Sequence, residues 1–423
     1  MPSTKLSYLA ETLIGSEIVK LGADIKEKIK QGKKIYNYTI GDFDSAIFPI
    51  PSELENEIIK AYQSRHTTYP PAEGVIELRQ AVANFIQKRE GITYKPDEIL
   101  IAAGGRPLLY AAYRAIVDKG EKVIYPVPSW NNNHYVHFTE GQHVVIETKV
   151  ENNFMPIADE IKPHLKDACL LSLCSPLNPT GTTFTKDALE EICDLVIAEN
   201  EQRGDNEKKL YLLYDQIYWT LTYGEVQHYN PVSLRPAMKE FTIFIDGISK
   251  AFASTGVRVG WAMGPSYLTS RMKAINSHLG AWAPMAEQNA VASYLDNTKA
   301  IDSYFVEFKS QLEERLIEIY DGFKQLKAAG FSVDAVAPQA AIYLTIQINL
   351  VGKTTSERKL LAHQADVTEY LLNEAALAIV PFSAFGAPAN SSWYRLSVGT
   401  CKKEDINEMF LKLKSALQRL MPH

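Results

Sequence analysis

Phe244-Ile-Asp-Gly-Ile-Ser-Lys250-Ala-Phe-Ala-Ser-Thr-Gly-Val-Arg258-Val-Gly-Trp261 opens as an apolar run and breaks off at Ser249 and Lys250, with Arg258 close behind. A run without polar alternation belongs to a strand buried on both faces. Lys250 therefore emerges at the carboxyl edge of a buried sheet. An amine held in an apolar crevice gives up its proton more readily and can then attack a carbonyl. A hydroxyl and a guanidinium beside it suit a phosphate. The stretch asks for a ligand that is a carbonyl and a phosphate in one molecule.

Working outward, similar apolar runs recur at 99–102, 122–125, 143–147, 170–173, 210–214, 241–245 and 259–263. Helical patterns lie between several of them. One covers 75–89, with Leu78, Val82, Phe85 and Ile86 on one face; another covers 186–200, with Leu189, Ile192, Cys193 and Val196. Continuous apolar strands separated by amphipathic helices predict an α/β fold, a mostly parallel sheet sandwiched by helices. Ser52 and Glu55 have the spacing of a capping box for a helix running to about residue 65. Near residue 300 the rhythm changes. A long helix over 300–329 stops at Gly330. Strands at 342–348, 378–380 and 394–398 follow, with helices over 364–377 and from Lys403, which predicts a smaller α+β domain. The expected division is 48–299 for the large domain, with 1–47 and 300–423 forming the small one. A helix over 16–31 is expected to pack on the small domain or bridge to it.

In open α/β sheets ligands collect outside the carboxyl ends of the strands. After 99–102 come Gly104-Gly105-Arg106-Pro107 and a helix, whose backbone N–H groups and positive end suit a phosphate. Trp130 follows 122–125, and Asn178-Pro-Thr-Gly181 follows 170–173. Asp215 and Tyr218 follow 210–214, and Ser249 and Lys250 follow 241–245. One edge thus carries a phosphate loop, an aromatic plate, an amide, a carboxylate, a phenol and a lysine. That set fits pyridoxal 5′-phosphate, an aldehyde and a phosphate on one pyridine ring.

The strings Tyr69-Pro-Pro-Ala-Glu-Gly74, Gly104-Gly105, Asn178-Pro-Thr-Gly181, Asp215-Gln-Ile-Tyr218, Ser249-Lys250 through Arg258, and Ser383-Ala-Phe-Gly386 through Arg395-Leu-Ser stand in order along nearly the whole chain. In them the chain resembles a class I/II aminotransferase, a pyridoxal-phosphate enzyme of fold type I, of the aspartate aminotransferase kind. The resemblance implies that Lys250 is the Schiff-base lysine and proton carrier, with Asp215 on the pyridine nitrogen to keep it protonated. It implies Tyr218 and Asn178 on the ring hydroxyl, and Trp130 stacked on the ring. Ser249, Arg258 and the amides at Gly105 and Arg106 would hold the phosphate. Tyr69 would be supplied across the interface of a homodimer with shared active sites. Arg395 would grip the substrate α-carboxylate in a bidentate pair, with Gly41 across the pocket and Trp130 and Asn178 lining it. Arg106 stands where one aspartate-type subgroup places a lysine that meets a distal carboxylate, so an acidic donor is favoured. Phe43, Phe48 and Trp393 keep an aromatic donor in play. The string Gly41-Asp-Phe-Asp-Ser-Ala-Ile-Phe48 lacks the family's usual proline, and 387–393 is poor in glycine, so the pocket lip is expected to differ.

The reaction expected is a ping-pong transfer of an α-amino group to a 2-oxo acid such as 2-oxoglutarate. A C–S lyase or decarboxylase on the same fold is the nearest alternative, since which Cα bond stands perpendicular to the ring is not written in the sequence. A coenzyme-binding regulator without turnover is a third reading, and the N-terminus is short for the DNA-binding domain such proteins carry. No G-x-G-x-x-G follows a strand, which disfavours a nicotinamide dehydrogenase. The bland readings are a solvated loop lysine at 250, a helix cap at Asp215, core packing for Trp130, a turn at Tyr69 and ion pairs for Arg106 and Arg395. The neighbours of each residue are what turn the balance toward chemistry.

Composition agrees. The 423 residues are 46% hydrophobic and 22% charged, with a net charge of −6 and no basic block, which argues against a nucleic-acid partner. No run approaches a membrane span and the N-terminus lacks a signal-peptide core, so a cytoplasmic location is expected. Cys169, Cys174, Cys193 and Cys401 show no disulfide or metal spacing, and the first three read as core thiols. His134, His137 and His143 lack the carboxylate pattern of a metal site, and none is expected.

Overall fold

The computed structural model describes residues 6–13 and 17–420. After the short β1 (Tyr36–Asn37), the chain lays down β2 (Ile99–Ala102), β3 (Lys122–Val127), β4 (Gln142–Glu147), β5 (Ala168–Cys174), β6 (Tyr211–Asp215), β7 (Thr242–Gly247) and β8 (Gly260–Met263). Strands β2 to β8 form one sheet in the order β2-β8-β7-β6-β5-β3-β4. Every pairing is parallel except the two that β8 makes, with β2 and β7. The carboxyl ends of β2, β3, β5, β6 and β7 consequently share one edge. The apolar strands β5, β6 and β7 are central, while the equally apolar β2 lies at one edge of the sheet and is buried there.

The helix Ile76–Glu90 buries Leu78, Val82, Phe85 and Ile86 and stops at Gly91, whose φ of +71° a glycine adopts without strain. Each such side chain contributes about 1.5–3 kcal/mol by leaving water. Lys186–Gln202 starts from Thr185, whose hydroxyl accepts from the Ala188 N–H at 3.3 Å. The capping box expected at Ser52 and Glu55 does not form. Pro51 takes the cap position, so Ser52 is already the first helical residue of Ser52–Gln63, and its hydroxyl turns to Glu53 at 3.0 Å.

A second, antiparallel sheet is built from β9 (Val333–Ala335) and β10 (Tyr343–Ile348). After β11 (Leu377–Ala378) come its other members, β12 (Val380–Pro381) and β13 (Trp393–Ser397). The order is β12-β13-β10-β9, while β11 pairs in parallel with β1. That pairing returns the N-terminal region to the C-terminal part of the chain. The helix Glu17–Lys30 follows the same route. Ile25 is buried with Leu372 and Ala378, and Lys28 donates to Asn373 Oδ1 at 2.7 Å. The expected first residue of this helix, Ser16, lies outside the described residues.

One helix, Thr298–Ala328, serves both bodies. Ile301 and Phe305 belong to the core under the large sheet, whereas Phe308, Leu312, Leu316, Ile319, Phe323 and Leu326 belong to the core of the second sheet. Cys169, Cys193 and Cys401 are buried, as a small apolar thiol tends to be. Cys174 is the exception. As the last residue of β5, level with Asp215, it is only partly covered and faces the strand-end edge. Among the described residues no helix is long and apolar enough to cross a membrane.

Candidate active site

The edge begins with an anion cradle. Gly104 caps the helix Gly105–Ile116 with a φ of +86°, and a Cβ there would run into the Arg258 guanidinium. Arg258 itself has a φ of +63° and is pinned by donating to Thr255 O at 2.6 Å and Ala103 O at 2.7 Å. The only way to bring a guanidinium this close over a helix start is to leave out the side chain beneath it. Burial, with the charge of Arg106 nearby, pulls the Arg258 pKa below its ordinary value. The Arg258 cation beside the free N–H groups of a helix start describes a seat for a dianion such as phosphate. Ser249 is buried at the same edge, one residue before Lys250.

Lys250 lies in the short turn of helix Ile248–Ala251 that caps β7, and its amine donates to Gly41 O at 2.5 Å. Burial pushes its pKa down to about 8, helped by the charges of Arg395, Arg106 and Arg258 and opposed by Asp42. Near neutral pH a useful fraction of this amine is unprotonated, which an ordinary surface lysine does not offer. Asp215 closes β6, and among the described residues its carboxylate accepts only from the Ile217 N–H at 3.1 Å. Burial raises it to about 6. A buried carboxyl with one weak donor is built to receive a cationic N–H.

Tyr218 is buried on the turn after β6, with its hydroxyl 2.6 Å from that of Tyr343. Asn178 faces the cleft from the turn after β5 and accepts from Arg395 Nη1 at 3.0 Å. Arg395, on β13 and 3% exposed, also donates to Thr39 O at 2.6 Å. Its Nε is buried without a partner. The guanidinium lies 4.7 Å from the Tyr343 ring centre and 4.9 Å from that of Phe385. Within the described residues two of its five N–H groups are used, which leaves donors for a carboxylate. Gly41 leaves space there, since a Cβ would come within 2.8 Å of the Tyr343 hydroxyl.

Trp130 and Arg106 meet at the mouth, with the guanidinium carbon 4.5 Å from the indole centre. Arg106 is exposed, and neither an ion pair nor a side-chain hydrogen bond engages it within the described residues. Trp130 also packs against the buried Phe154, Phe382 and Phe385. Tyr69 stands apart from the rest. It is 86% exposed and makes an edge contact to Trp282 at 5.5 Å, on a surface it shares with Tyr62 and Met285. The structure thus gathers Gly41, Gly105, Arg106, Trp130, Asn178, Asp215, Tyr218, Ser249, Lys250, Arg258 and Arg395 along one edge and leaves Tyr69 on the outside.

Sequence reasoning missed two neighbours. Asp42 accepts from Thr255 Oγ1 at 2.6 Å and faces Lys250 electrostatically; its signal was only its place beside Gly41. Tyr343 sits within β10, in a run legible only as a core strand. His137 touches Thr12 and His143 touches Tyr125, so the histidines are separately engaged. A cleft of about 1300 Å³ opens elsewhere, between Glu17–Lys30 and Gln364–Glu374. It carries none of the candidate side chains, and the chemistry rather than the volume marks the site.

Comparison with known proteins was made against this geometry. The family profile described as "Aminotransferase class I and II" matches residues 33–413. The aspartate aminotransferase of Bacillus sp. (strain YM-2) is 29% identical over 398 residues, covering 93% of this chain and 95% of that protein. The crystal structure of the aspartate aminotransferase from Rhizobium meliloti superposes with a TM-score of 0.90 at 26% identity, over 99% of this chain and 100% of that one. The Thermus thermophilus aspartate aminotransferase with maleate gives a TM-score of 0.85 at 27% identity, over 98% of this chain and 100% of that one.

Proposed function

The chain belongs to the class I and II aminotransferases, a family of pyridoxal-phosphate-dependent transaminases, and from that premise we propose that it moves the α-amino group of an acidic L-amino acid to a 2-oxo acid such as 2-oxoglutarate, in two half-reactions. The observation that carries this reading is the Lys250 amine, lowered to about pKa 8 and set along one edge with the Asp215 carboxyl and the Gly104–Arg258 cradle.

The residues fit the coenzyme by their donor chemistry. The backbone amides of Gly105 and Arg106, with Ser249 and Arg258, would take the phosphate, Asp215 the ring nitrogen, Tyr218 and Asn178 the ring hydroxyl, and Trp130 a ring face. When bound, the coenzyme supplies an aldehyde carbon for amines and a pyridinium ring that accepts electron density. The chain's residues do the rest. Lys250 would hold the coenzyme aldehyde until an incoming amine takes its place, and as a neutral amine would then move the proton at the substrate Cα. Asp215, raised to about 6 while alone, is ionised at neutral pH, and a ring N–H offsets its cost of burial. Arg395 orients the α-carboxylate through its free N–H groups, and Asn178 ties that guanidinium to the ring side of the site.

Arg106 selects the donor. Exposed, stacked on Trp130 and without a partner in the described chain, it offers a fixed positive charge to a distal carboxylate. Maleate, which the Thermus relative holds, is a dicarboxylate of the length of aspartate. A second reading, an aromatic donor, is supported by the apolar wall of Phe154, Phe382, Phe385 and Trp393 behind Trp130. The unit that holds the coenzyme would be 48–299, and 1–47 with 300–423 would close over the substrate. Tyr69, which faces away from its own site, would complete that of a second copy, giving a homodimer.

The test is spectroscopic. The purified protein loaded with pyridoxal phosphate is expected to show the visible band of the lysine-bound coenzyme. L-Aspartate or L-glutamate alone should convert it to the amine form, and 2-oxoglutarate should restore it. A band that no amino donor moves would overturn the transfer reading.

A further inference from the structure

Four of the elements described above converge on Tyr343. Its carbonyl presses on Gly181, at the end of the Asn178 turn, where a Cβ would collide with it. Its hydroxyl is 2.6 Å from the Tyr218 hydroxyl, with the rings edge to face at 5.5 Å. The same hydroxyl would meet a Cβ on Gly41 at 2.8 Å, and Gly41 O is the acceptor that holds the Lys250 amine. The Arg395 guanidinium lies against its ring at 4.7 Å. Tyr343 is 1% exposed and comes from the second sheet, whereas Tyr218 comes from the first. Gly181 thus makes room for the Tyr343 backbone and Gly41 for its phenol, which lies between Tyr218 and Arg395 in the cleft.

Resting on the function proposed above, we propose that Tyr343 is a positioning residue of the transfer reaction, whose hydroxyl donates to Tyr218 Oη and so turns the Tyr218 proton toward the ring oxygen of the coenzyme. The direction follows from the surroundings. Two phenols at this distance share one hydrogen bond, and the better acid donates. Burial lifts both; at Tyr343 the Arg395 guanidinium, 4.7 Å from the ring centre, opposes the rise, whereas at Tyr218 the Tyr343 phenol adds to it. Donation into Tyr218 polarises its O–H and strengthens what it offers next, as in any chain of hydroxyls. A ring oxygen that receives a stronger hydrogen bond is the better anion, and the nitrogen joining Lys250 to the coenzyme loses its proton at lower pH. Tyr343 thereby sets how readily that bond opens to an incoming amine.

The test is a titration of the visible band of the loaded enzyme from pH 5 to 10 in the wild type, Tyr343→Phe, Tyr218→Phe and the double variant. Tyr343→Phe keeps the ring on Arg395 and the packing on Gly181. Its titration midpoint is expected to rise by about half to one pH unit, the size of one lost hydrogen bond. The turnover number kcat should fall about tenfold while KM changes less. In the Tyr218→Phe background the same change should move the midpoint no further, because the route through Tyr218 is gone. Gly41→Ala, which pushes on the Tyr343 hydroxyl without removing it, should reproduce the upward shift and serves if Tyr343→Phe does not fold. A midpoint unmoved in Tyr343→Phe, or an equal shift in both backgrounds, overturns the proposal and leaves the function standing. A wild type that forms no band with pyridoxal phosphate overturns the function, and this proposal with it.

Discussion

Arg395 and Arg106 bring the same charge into one cleft by opposite constructions. Arg395 rises from β13, is 3% exposed, and is held by Thr39 O, Asn178 and two aromatic faces. Arg106 starts a helix at the rim, is exposed, and rests on one face of Trp130. Burying a guanidinium costs several kcal/mol, which only a fixed set of acceptors offsets. Such a group suits the part of the substrate that never varies. An exposed cation costs little to keep and gains little until a ligand covers it. That suits the part of the substrate that differs between donors. On the proposed function, the contrast teaches that constant recognition would sit in the core of the second sheet, and selectivity at the rim of the first.

The comparison can be broken most easily at Arg395. Arg395→Leu removes the partner of a buried anion, and kcat/KM is expected to fall on the order of 10²–10³-fold for every α-amino acid alike. Steady-state kinetics with aspartate, glutamate and phenylalanine check this, and a loss confined to acidic donors would reverse the assignment. Arg395→Lys sharpens the geometric half of the argument. One ammonium cannot satisfy Asn178, Thr39 O and a carboxylate together, so roughly a tenfold to hundredfold loss should remain despite the retained charge. At the rim, Arg106→Ala should cost about tenfold with aspartate and glutamate and leave aromatic donors near the wild-type value, the reach of a single exposed ion pair with a ligand. An equal loss for both classes would instead place Arg106 on the phosphate.

The smallest effect concerns the field both arginines cast on Lys250. In the coenzyme-free protein, labelling of this amine by a carbonyl reagent should rise with pH and reach half its plateau near pH 8, because only the unprotonated amine reacts. Each guanidinium disfavours the protonated form, so removing one must move that midpoint upward. The shift should be larger for Arg395→Leu than for Arg106→Ala, matching the order in which the two act on the lysine. A midpoint that falls in either variant would show that the amine is governed by something other than these charges.

Which features were legible in the sequence follows from what sequence records. Residues such as Gly105, Asn178, Asp215 and Lys250 stand immediately after apolar strands, and parallel connections force those strand ends onto one edge. Their assembly was therefore readable from spacing. Tyr343 was not, because a buried tyrosine inside an apolar strand looks the same whether it packs or donates. Its role depends on the second sheet meeting the first, which no local pattern encodes. Cys174, expected in the core from its apolar neighbours, packs against it from the end of β5 with part of its surface uncovered. Ser52 failed as a cap for a different reason: Pro51, with φ −53° and ψ 132°, already holds the extended conformation that a cap requires. The polar cluster behind the sheet was equally silent. Gln216 donates to Glu90 at 2.6 Å and Trp219 to Asp246 at 2.9 Å, pinning from beneath the turn that presents Tyr218. Glu90, at the end of a helix, carried no sign of being buried.

The helix Thr298–Ala328 has a mechanical consequence. Its 31 residues make a rod of about 46 Å at 1.5 Å per residue. The rod is embedded in the first core as far as Phe305 and in the second from Phe308 onward. Two bodies cast around one shaft cannot slide along each other, since any translation would drag a row of interlocked side chains out of a packed interior. What is left to them is an angle about the single turn between those two phenylalanines, held by Leu221 and Tyr223 packed into the second core and by the Ala340 N–H on Gly181 O. Because Arg395 and Tyr343 ride on the far side of that turn and Lys250 on the near side, a tilt of a few degrees translates into a change of reach at the cleft. The shaft leaves tilt, not sliding, as the way to change that reach.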